Sequence, residues 1–582
     1  MKALIFNSGI GSRMGELTKN CPKCLLKLKD NETILSRQLR ILAECGITDV
    51  IITTGKYEDE IAEECKKHKA INTIFVNNPL YESTNYIYSM YLAKKYLNDD
   101  ILMIHGDLVF NNECIKAILS DKRSSVCLIN KSISQPLKDF KGRLINDLLH
   151  EVSVNIYDDN CYALQPVYKL SKECIYNWLA EVSIFTEKGI TDVYAENALN
   201  NILSINKIYA LSYEKYYINE IDTFQDYERV SREIEISDKG GYFDILCLAD
   251  ILEKYKSTRP FAIIGKHLKN SKIEYFLDTL GVGKYFGAIE NPTEESIIQA
   301  QRAFVEYGGD LLISIGGGSV IDTAKGIRFF LLNNEKYSSI PHISIPTTAG
   351  SGSESTHFAV IYKNGVKESL ADKMLLPDNI ILDSRLLYSM NEQQRKVSLL
   401  DALCHSIESI LSINSTAESI DYAVCSLKLI LGKYQEFING EKEAYKEIMI
   451  AADYAGKAIN ISKTTIGHAM SYTLTSEYGI KHGQAVAICL IYALKYIEQI
   501  YDLKNEFIIL YNVLGIENGQ SLSDRLSYIY NNMKLECNYD LSCAQADVLA
   551  KKVNAERLMN FIVPINEEQI KEIYSDIIRS KR

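Results

Sequence analysis

The sequence lacks the features that mark nucleic-acid-binding, membrane or secreted proteins. Its net charge of −11 leaves no general excess of Lys and Arg for a nucleic acid or an anionic membrane to bind. No uncharged apolar run is long enough to span a bilayer, and the longest candidate, residues 485–494, is predicted to be a buried helix segment. The N-terminus shows no signal-peptide pattern, and the 14 cysteines are scattered, as is typical of reduced thiols. We therefore expect a cytoplasmic protein with small-molecule partners and no nucleic-acid or membrane partner.

The length of 582 residues exceeds what one hydrophobic core supports, so two to four domains are expected. In the first part of the chain, short apolar runs alternate with amphipathic helical patterns at residues 34–43 and 87–96, which predicts an α/β sheet with helices on its faces. The apolar runs lie at residues 3–6, 50–53, 73–76, 101–104 and 126–129. A second series of such runs follows at residues 261–264, 311–315, 343–345 and 380–382.

The rest of the pattern predicts how these parts are divided. Asn364-Gly365 lies between two apolar runs and predicts a β-hairpin. From about residue 391 onward the pattern is helical. The polar stretch 228–241 ends in a glycine pair and is the predicted join. The predicted domains are residues 1–232, 241–385 and 386–582, with α/β, α/β and all-α folds.

The first apolar run leads directly into a glycine-containing loop. Gly9, Gly11 and Arg13 form a GxGxR pattern, and Pro22-Lys23 follows it. Glycines after a strand let backbone N–H groups approach a phosphate chain, and Arg13 and Lys23 would add positive charge. The loop is neither a Walker loop nor a Rossmann fingerprint, and alone it is equally compatible with a tight turn. The flanking cysteines form an isolated CxxC, and no second pair completes a zinc site.

Two acidic segments downstream favour the phosphate interpretation. Asp107 ends the run ILMIHGD, and Asp222 lies in the segment EIDT at residues 220–223. Two carboxylates near a phosphate chain suit Mg²⁺-assisted phosphoryl chemistry, whereas a strand-end cap is the alternative role for Asp107. Together with GxGxRM…PK, these segments resemble the nucleotidyltransferase superfamily over residues 1–232. The resemblance implies a Rossmann-like α/β domain in which Asp107 and Asp222 bind Mg²⁺, while Arg13 and Lys23 stabilise the triphosphate.

The run NPLYESTNYIYS at residues 78–89 narrows this resemblance. It looks like the phosphocholine and aminoethylphosphonate cytidylyltransferase branch, in which a similar Asn-rich stretch lies near the base and the acceptor. The branch implies CTP as substrate and attack of an acceptor oxygen on the α-phosphorus, with release of pyrophosphate. The alternative interpretation of residues 78–89 is a loop followed by a helix N-terminus. Asn7-Ser8 departs from the small Ala-Ala pair common in the family.

Two loops of small residues follow strands of the second series and predict a dinucleotide site. A strand that ends in three glycines, with Ser319 as a potential N-cap, makes a seat for pyrophosphate at a helix N-terminus. Either loop alone is compatible with a flexible turn. Two such loops in one α/β unit indicate a dinucleotide site more strongly. The predicted cofactor-binding residues are Gly316, Gly317, Gly318, Ser319, Asp322, Lys325, Thr347, Thr348 and Ser351.

The helical region supplies candidate metal ligands. Asp401 and His405 are four residues apart, so they share one helix face within reach of a single ion. His468 and His482 are fourteen residues apart, which in one straight helix is about 21 Å, so a break between them is required. Tyr478-Gly479 is predicted to supply it. A single His is more often a core or surface residue than a ligand. Because this set follows a predicted dinucleotide loop, the ligand interpretation is favoured.

These motifs closely resemble the iron-containing alcohol dehydrogenase family over residues 241–582. GGGSVIDTAK and PTTAGSGSE match its cofactor motifs, and Asp401, His405, His468 and His482 match its four metal ligands. The resemblance implies an α/β dinucleotide-binding domain, an all-α metal-binding domain, NADH or NADPH as cofactor, and Fe²⁺ or Zn²⁺ as Lewis acid. Tyr472 stands where many members have a further histidine near the substrate.

Residues 357–362, 376–378 and 401–409 look like phosphonoacetaldehyde reductases, a branch that often has Gln at the position of His405. Lys363, Lys367 and Lys373 are candidates for contacts with a phosphonate dianion, and a solvated charged hairpin is the alternative.

Together, the resemblances imply a bifunctional enzyme of phosphonate biosynthesis. Phosphonoacetaldehyde would be reduced to 2-hydroxyethylphosphonate, and CTP would then convert this product into its cytidylyl ester. One alternative is a glycerol-phosphate-type dehydrogenase joined to a cytidylyltransferase for a polyol phosphate or a phosphocholine-like acceptor. Another is a chain in which one domain is inactive and serves as a nucleotide-binding regulatory module. A homo-oligomer is compatible with the sequence.

Overall fold

The computed structural model of the protein divides into two compact units, Met1–Gly240 and Gly241–Arg582. It describes residues 1–9, 12–19, 21–28, 31–131, 135–136, 138–332, 334, 337–364, 366–500, 507–516, 520–536 and 539–580, without the side chains at positions 12, 13, 16 and 366. Two predicted site features, Gly11 and the side chain of Arg13, therefore lie outside the described residues.

The first unit is a mixed α/β structure. Its strands are β1 (Lys2–Phe6), β2 (Asp49–Thr54), β3 (Asn72–Asn77), β4 (Ile101–His105), β5 (Leu108–Phe110), β6 (Val126–Asn130), β7 (Lys141–Ile145), β8 (Leu148–Ser153), β9 (Cys161–Leu170), β10 (Tyr209–Ser212) and β11 (Ile218–Glu220). Its helices are α1 (Ile34–Glu44), α2 (Glu58–Cys65), α3 (Tyr86–Ala93), α4 (Asn112–Ser120), α5 (Lys172–Glu187), α6 (Ala195–Asn200) and α7 (Phe224–Asp238). Over the described residues, nine strands form one sheet in the order β3-β2-β1-β4-β9-β6-β10-β8-β7, and β5 pairs with β11 separately.

The strand order places the carboxyl ends of β1 and β4 side by side. Both strands run parallel, with Phe6 opposite His105, and β2 and β3 continue the parallel sheet on the far side of β1. The order reverses between β1 and β4, which is the point where open α/β sheets bind ligands. Alternate residues of β1 belong to two buried apolar clusters, one on each face of the sheet. Each fully buried aliphatic side chain in them contributes about 1.5–3 kcal/mol, which fixes this edge in place.

The predicted join at residues 228–241 contains the boundary between the two units, but most of this stretch is helical. Residues Phe224–Asp238 form α7, which begins with a capping box between Thr223 and Asp226. Its apolar residues Val230, Ile234 and Ile236 are buried, so the polar composition reflects only its exposed face. The first unit therefore extends to Gly240, eight residues beyond the predicted boundary at 232.

The second unit contains a parallel sheet followed by helices. Its strands are β12 (Gly241–Tyr242), β13 (Pro260–Ile264), β14 (Gly283–Tyr285), β15 (Leu311–Gly316), β16 (His342–Pro346), β17 (Phe358–Lys363), β18 (Val366–Ala371) and β19 (Asn379–Ile381). Its helices are α8 (Leu248–Lys254), α9 (Lys272–Thr279), α10 (Glu294–Tyr307), α11 (Gly318–Leu331), α12 (Glu392–Ile410), α13 (Ala417–Asn439), α14 (Tyr445–Ser462), α15 (Ile466–Ser476), α16 (His482–Ile500), α17 (Ile508–Leu514), α18 (Leu522–Asn532), α19 (Ala546–Lys551), α20 (Ala555–Leu558) and α21 (Glu567–Ser580).

The sheet of this unit has the order β12-β19-β16-β15-β13-β14, and all its pairings are parallel. β17 and β18 form the predicted hairpin, and Asn364, which follows β17, has φ +51°. Gly365 of the predicted turn lies outside the described residues. The order reverses between β13 and β15, so the glycine loop after β15 opens at a second ligand-binding edge. Within the described residues, no helix is long and apolar enough to cross a membrane.

Candidate active sites

In the first unit, three charged side chains predicted from the sequence meet at the sheet edge. Lys23 Nζ lies 2.9 Å from Asp107 Oδ2 and 2.8 Å from Asp222 Oδ1. Asp107 Oδ1 is buried and has no hydrogen-bond partner among the described residues, so it can still bind another positive group. Carboxylate oxygens that converge in this way fit the oxygen-ligand preference of Mg²⁺.

Short backbone contacts fix both carboxylates. Asp107 follows β4 and precedes β5, and β5 pairs with β11, which ends two residues before Asp222. The Ile221 amide donates a hydrogen bond to the Asp107 carbonyl at 3.1 Å. A Cβ at Gly106 would lie 1.7 Å from Asn7 Oδ1, so only glycine lets the loops after β1 and β4 approach this closely.

The charges of this cluster depend on one another. Burial alone would lower the pKa of Lys23, but the carboxylates of Asp107 and Asp222 outweigh it and raise that pKa. Burial opposes ionisation of Asp107, yet Lys23 lowers the pKa of this carboxyl. Burial, followed by repulsion from Asp107, raises the pKa of Glu220, and burial lowers the pKa of His105 to about 4. The sequence-based site omitted His105 and Glu220, which lie with Asp107 close enough to share one ion.

Two cavities meet at the glycine loop. One, of about 350 Å³, is lined by Lys23, Asp107 and Asp222, and the other, of about 420 Å³, is lined by Lys19, Lys56, Tyr57 and Tyr81. Asn7 and Gly9 line both cavities. This geometry accommodates two ligands that meet beside Lys23.

The run at residues 78–89 contributes to both cavities. Asn85 caps α3 by accepting a hydrogen bond from the Tyr86 amide, and the Tyr86 ring lines the cavity that contains Lys23. Tyr86 contacts the rings of His105 and Tyr194, with centroids 4.7 and 6.0 Å away, and Phe140 lies 5.0 Å from Tyr194. The cavity is therefore lined by aromatic rings as well as by the charged cluster.

In the second unit, the four predicted metal ligands converge on one carboxylate oxygen. Asp401 Oδ1 lies 3.5 Å from His468 Nε2, 3.8 Å from His482 Nε2 and 3.9 Å from His405 Nε2. Asp401 Oδ1 and His468 Nε2 are both buried and have no hydrogen-bond partner among the described residues. Buried polar atoms left without partners are costly, and a shared divalent ion would satisfy them together.

Helix geometry explains this convergence. Asp401 and His405 share one face of α12, as their spacing predicts. α15 ends at Ser476 and α16 begins at His482, and Gly479 between them has φ +69°, so the predicted break is present. A Cβ at Gly483 would lie 2.1 Å from the Val397 carbonyl, so glycine at this position lets the start of α16 pack directly on α12.

The protonation states suit a metal site. Burial opposes ionisation of Asp401, but His405 and His482 lower the pKa of its carboxyl. Burial lowers the pKa of His405 to about 4 and takes the pKa of His482 well below its ordinary value. These shifts favour a charged carboxylate beside neutral imidazoles at His405 and His482, the forms in which these groups bind metal. At His468, burial opposes protonation, but the carboxylates of Glu408 and Asp401 outweigh it and raise the pKa of the ring.

Glu408 is a part of this site that the sequence-based prediction missed. Its side chain is fully buried, and it forms a short hydrogen bond with His468 Nδ1. Its Oε1 accepts hydrogen bonds from the amides of Thr465 (3.0 Å) and His468 (3.2 Å) and from Thr465 Oγ1 (2.9 Å). A carboxylate behind a ligating histidine fixes the tautomer and orientation of the ring. The sequence could have indicated Glu408, because it lies seven residues after Asp401 and therefore on the same face of the helix.

We expect Glu408→Gln to lower metal affinity by about 10- to 100-fold, because the His468 ring loses its charged partner. The matched control is Glu392→Gln on the same helix, where the carboxylate only pairs with Lys396 at the surface. Metal release to a chelator, followed by elemental analysis, measures the effect. Wild-type affinity in Glu408→Gln would contradict the role given to Glu408.

The dinucleotide loops lie beside this cluster. Gly318, Ser319, Asp322 and Ser351 line the same cavity of about 260 Å³ as the four predicted ligands. Gly316 and Gly317 form the corner between β15 and α11. The predicted N-cap is wrong, since α11 begins at Gly318 with Gly317 as its N-cap residue. Thr348 lies beside Gly317, whereas Thr347 is buried and does not line the cavity.

The structure does not support direct cofactor binding by Lys325. Its ammonium is fully buried and donates hydrogen bonds to Ser353 Oγ at 3.1 Å, Thr356 Oγ1 at 2.9 Å and the Phe358 carbonyl at 2.9 Å. Asp322 accepts a hydrogen bond from Ser353 Oγ at 2.6 Å and one from the Val360 amide at 3.1 Å. Lys325 and Asp322 therefore hold the second loop and the hairpin in place.

Of the three lysines proposed for a phosphonate, only Lys367 lines the cavity. Lys363 forms an ion pair with Glu294 at 3.2 Å near the surface, and Lys373 is exposed. Lys367 Nζ lies 3.7 Å from the centroid of the Tyr472 ring. Arg557 Cζ lies 5.6 Å from the same centroid, and no sequence motif had indicated this arginine.

Comparison with known proteins assigns each part of the chain to a family. Residues 243–384 match the family model described as iron-containing alcohol dehydrogenase, and residues 397–578 match the C-terminal model of the Fe-containing alcohol dehydrogenase family. Residues 3–155 match the MobA-like NTP transferase domain. The chain therefore joins an N-terminal nucleotidyltransferase domain to an iron-containing alcohol dehydrogenase, a family whose members bind a metal and NAD(P).

Individual relatives match the dehydrogenase part. A sulfoacetaldehyde reductase of Bilophila wadsworthia is 31% identical over 220 residues, which are 35% of this chain and 57% of that protein. A phosphonoacetaldehyde reductase of Streptomyces viridochromogenes is 29% identical over 226 residues, again 35% of this chain and 57% of that protein. The crystal structure of sulfoacetaldehyde reductase from Bifidobacterium kashiwanohense, in complex with NAD+, has a TM-score of 0.52 at 21% identity. It covers 57% of this chain and 94% of that chain, and it supports the fold.

Proposed function

We propose that this chain catalyses two consecutive steps of phosphonate biosynthesis in the cytoplasm. The second unit would reduce phosphonoacetaldehyde with NADH or NADPH to 2-hydroxyethylphosphonate. The first unit would transfer a cytidylyl group from CTP to the phosphonate, releasing pyrophosphate. The proposal rests mainly on one observation: two partly buried cations, Lys367 and Arg557, share a cavity with the convergent Asp401 cluster. Two relatives named as reductases of aldehydes with an acidic group are consistent with it.

The side chains of the second unit would orient the reactants of the reduction. When bound, Fe²⁺ or Zn²⁺ would supply Lewis-acid activation of the carbonyl, and the nicotinamide would supply a hydride. Gly318, Ser319 and Ser351 would bind the dinucleotide phosphates at the N-terminus of α11. Glu408 would hold the His468 ring in one tautomer. The buried walls of the cavity would keep water away from the carbonyl.

In the first unit, Lys23 would bind the α-phosphate oxygens, where negative charge increases in the transition state. A phosphonate oxygen attacks the α-phosphorus, a new P–O bond forms, and the bond to the bridging oxygen of pyrophosphate breaks. Asp107 and Asp222 would hold Mg²⁺, which supplies charge neutralisation when bound. Lys19 and Lys56, in the adjoining cavity, would bind the remaining phosphates.

One observation favours a second candidate for the transferase acceptor. Tyr86, Phe140 and Tyr194 line the cavity that also contains the carboxylates, and aromatic rings suit a quaternary ammonium group. Phosphocholine is therefore the second candidate. In that case the cytidylyltransferase would act on a phosphate ester unrelated to the product of the fused reductase.

The choice of acceptor is tested by measuring kcat/KM with CTP for 2-hydroxyethylphosphonate, 2-aminoethylphosphonate and phosphocholine. We expect the alcohol to exceed both cationic acceptors by about tenfold or more, which corresponds to about 1.4 kcal/mol of transition-state binding. Pyrophosphate release provides the readout. Equal or better turnover of a cationic acceptor would refute the coupled pathway and leave both enzyme classes unchanged. In that event Tyr194→Ala should lower phosphocholine turnover selectively.

A further inference from the structure

The dehydrogenase cavity has a cationic end that the hydride-transfer chemistry does not use. Lys367 and Arg557 both lie against the ring of Tyr472, at 3.7 and 5.6 Å from its centroid. They line the cavity of about 260 Å³ that contains the Asp401 cluster. They also line an adjoining cavity of about 360 Å³, so they stand where the two spaces meet.

Neither cation is neutralised by a carboxylate among the residues that the structure describes. Lys367 forms no hydrogen bond or ion pair there, and Arg557 donates to the hydroxyls of Ser369 (3.1 Å) and Thr464. Asp322, in the same cavity, accepts its hydrogen bonds from Ser353 and Val360 instead. Burial first, and then repulsion from Arg557, lowers the pKa of Lys367 to about 7. A bound anion would stabilise the charged form of Lys367 beside Arg557.

The position of this cationic pair fits a short substrate. Tyr472 and His468 are four residues apart on α15, so their side chains share one helix face at a spacing of about 5–6 Å between Cβ atoms. The carbonyl end of a substrate at the Asp401 cluster would thus lie about one helical turn from the cations. In an aldehyde that carries a tetrahedral acid group on the carbon next to the carbonyl, two carbons separate the carbonyl oxygen from the acid group. This separation is about the distance between the Asp401 cluster and the cations.

Resting on the reductase activity proposed above, we propose that Lys367 and Arg557 form an anion-binding subsite that selects aldehydes carrying a tetrahedral oxyanion on the carbon next to the carbonyl. Lys367 would donate from Nζ and Arg557 from its guanidinium to oxygens of the same group. Ser369, two residues after Lys367 on β18, lies on the same face of that strand and keeps Arg557 in position. Phosphonate and sulfonate groups are both tetrahedral oxyanions, and they differ in net charge.

The test compares phosphonoacetaldehyde, sulfoacetaldehyde and 3,3-dimethylbutanal, an uncharged aldehyde of the same shape. We expect Lys367→Met and Arg557→Gln each to lower kcat/KM for the anionic aldehydes by about 10- to 100-fold, as for the loss of a hydrogen bond to a charged group. Turnover of 3,3-dimethylbutanal and the KM for NAD(P)H should stay within about twofold. Lys363→Met is the matched control, because this lysine lies on the neighbouring strand and pairs with Glu294 at the surface.

Methylphosphonate provides a second readout that does not depend on turnover of an anionic aldehyde. It should inhibit reduction of 3,3-dimethylbutanal competitively in wild type and about tenfold more weakly in either variant. An equal loss for charged and uncharged aldehydes, or a raised KM for NAD(P)H, would overturn the subsite even if phosphonoacetaldehyde remained the best substrate. Preference of wild type for sulfoacetaldehyde, with selective loss in both variants, would support the subsite and overturn the phosphonate substrate.

Discussion

Asp107→Ala is expected to lower CTP-dependent pyrophosphate release by about a thousandfold or more, while NAD(P)H oxidation with an aldehyde stays within about twofold. The substitution removes one of the two carboxylates that converge on Lys23 and leaves Asp222 alone beside the ammonium. Asp401→Ala is expected to produce the reverse pattern, because Asp401 Oδ1 is the atom on which the three histidines converge. Both activities are measured on the same purified full-length chain.

Asp107→Asn keeps the shape of the side chain and therefore distinguishes loss of charge from loss of structure. It should be as inactive as Asp107→Ala in the transferase assay. Circular dichroism would establish that each variant is folded. If either Ala substitution removed both activities from a folded chain, the assignment of two independent sites would be wrong. If wild type lacked one activity altogether with all acceptors and aldehydes, the alternative of an inactive regulatory domain would gain support.

His468→Ala and His482→Ala are each expected to reduce the metal content of the dehydrogenase from about one ion per chain to about a tenth of that or less, with a parallel loss of aldehyde reduction. Each variant removes one imidazole from the set of four predicted ligands. The loss should be greater for His468, because its removal also leaves the buried Glu408 without the hydrogen bond to the ring.

Elemental analysis of the purified variants measures this effect directly. His267→Ala, which replaces an exposed histidine of the same unit, is the matched control and should retain its metal. Full metal occupancy in both His468→Ala and His482→Ala would refute the ligand assignment, whatever their catalytic rates.

The sequence was sufficient to predict the fold class, and the comparisons confirm it. Every apolar run assigned to a strand corresponds to one, because buried strands of parallel sheets consist of continuous aliphatic residues. Eight strands of the described residues were missed, since each is short or mixes polar and apolar residues: β5, β7, β8, β9, β10, β11, β12 and β14. The helix α7 was mistaken for a linker, because fifteen residues with one buried stripe have the overall composition of a loop.

The candidate sites were predictable only where spacing alone decides geometry. Asp401 and His405 could be placed together because their spacing of four residues is about one helical turn. The break before His482 could be predicted because a straight helix would hold His482 too far from His468 for both to bind one ion. Arg557 lies in the short helix α20, and nothing in its local sequence relates it to a hairpin lysine almost two hundred residues earlier. Lys325 was misassigned because a lysine after a glycine loop resembles a phosphate ligand, whereas its hydrogen-bond partners become evident only in three dimensions. The chemical roles of all these residues stay predictions.

The hydrogen bonds of Arg37 determine where the gene can be divided if each activity is to be produced alone. The Arg37 side chain is almost completely buried, and its guanidinium forms two hydrogen bonds, of 2.7 and 2.6 Å, with Asp238 near the end of α7. A transferase fragment that stops at residue 232 would lack this carboxylate, and the buried Arg37 would keep only the longer ion pair with Glu32 at 3.6 Å, which would destabilise the fragment. Such a fragment would be prone to aggregation, whereas one that ends at Gly240 keeps the pair intact.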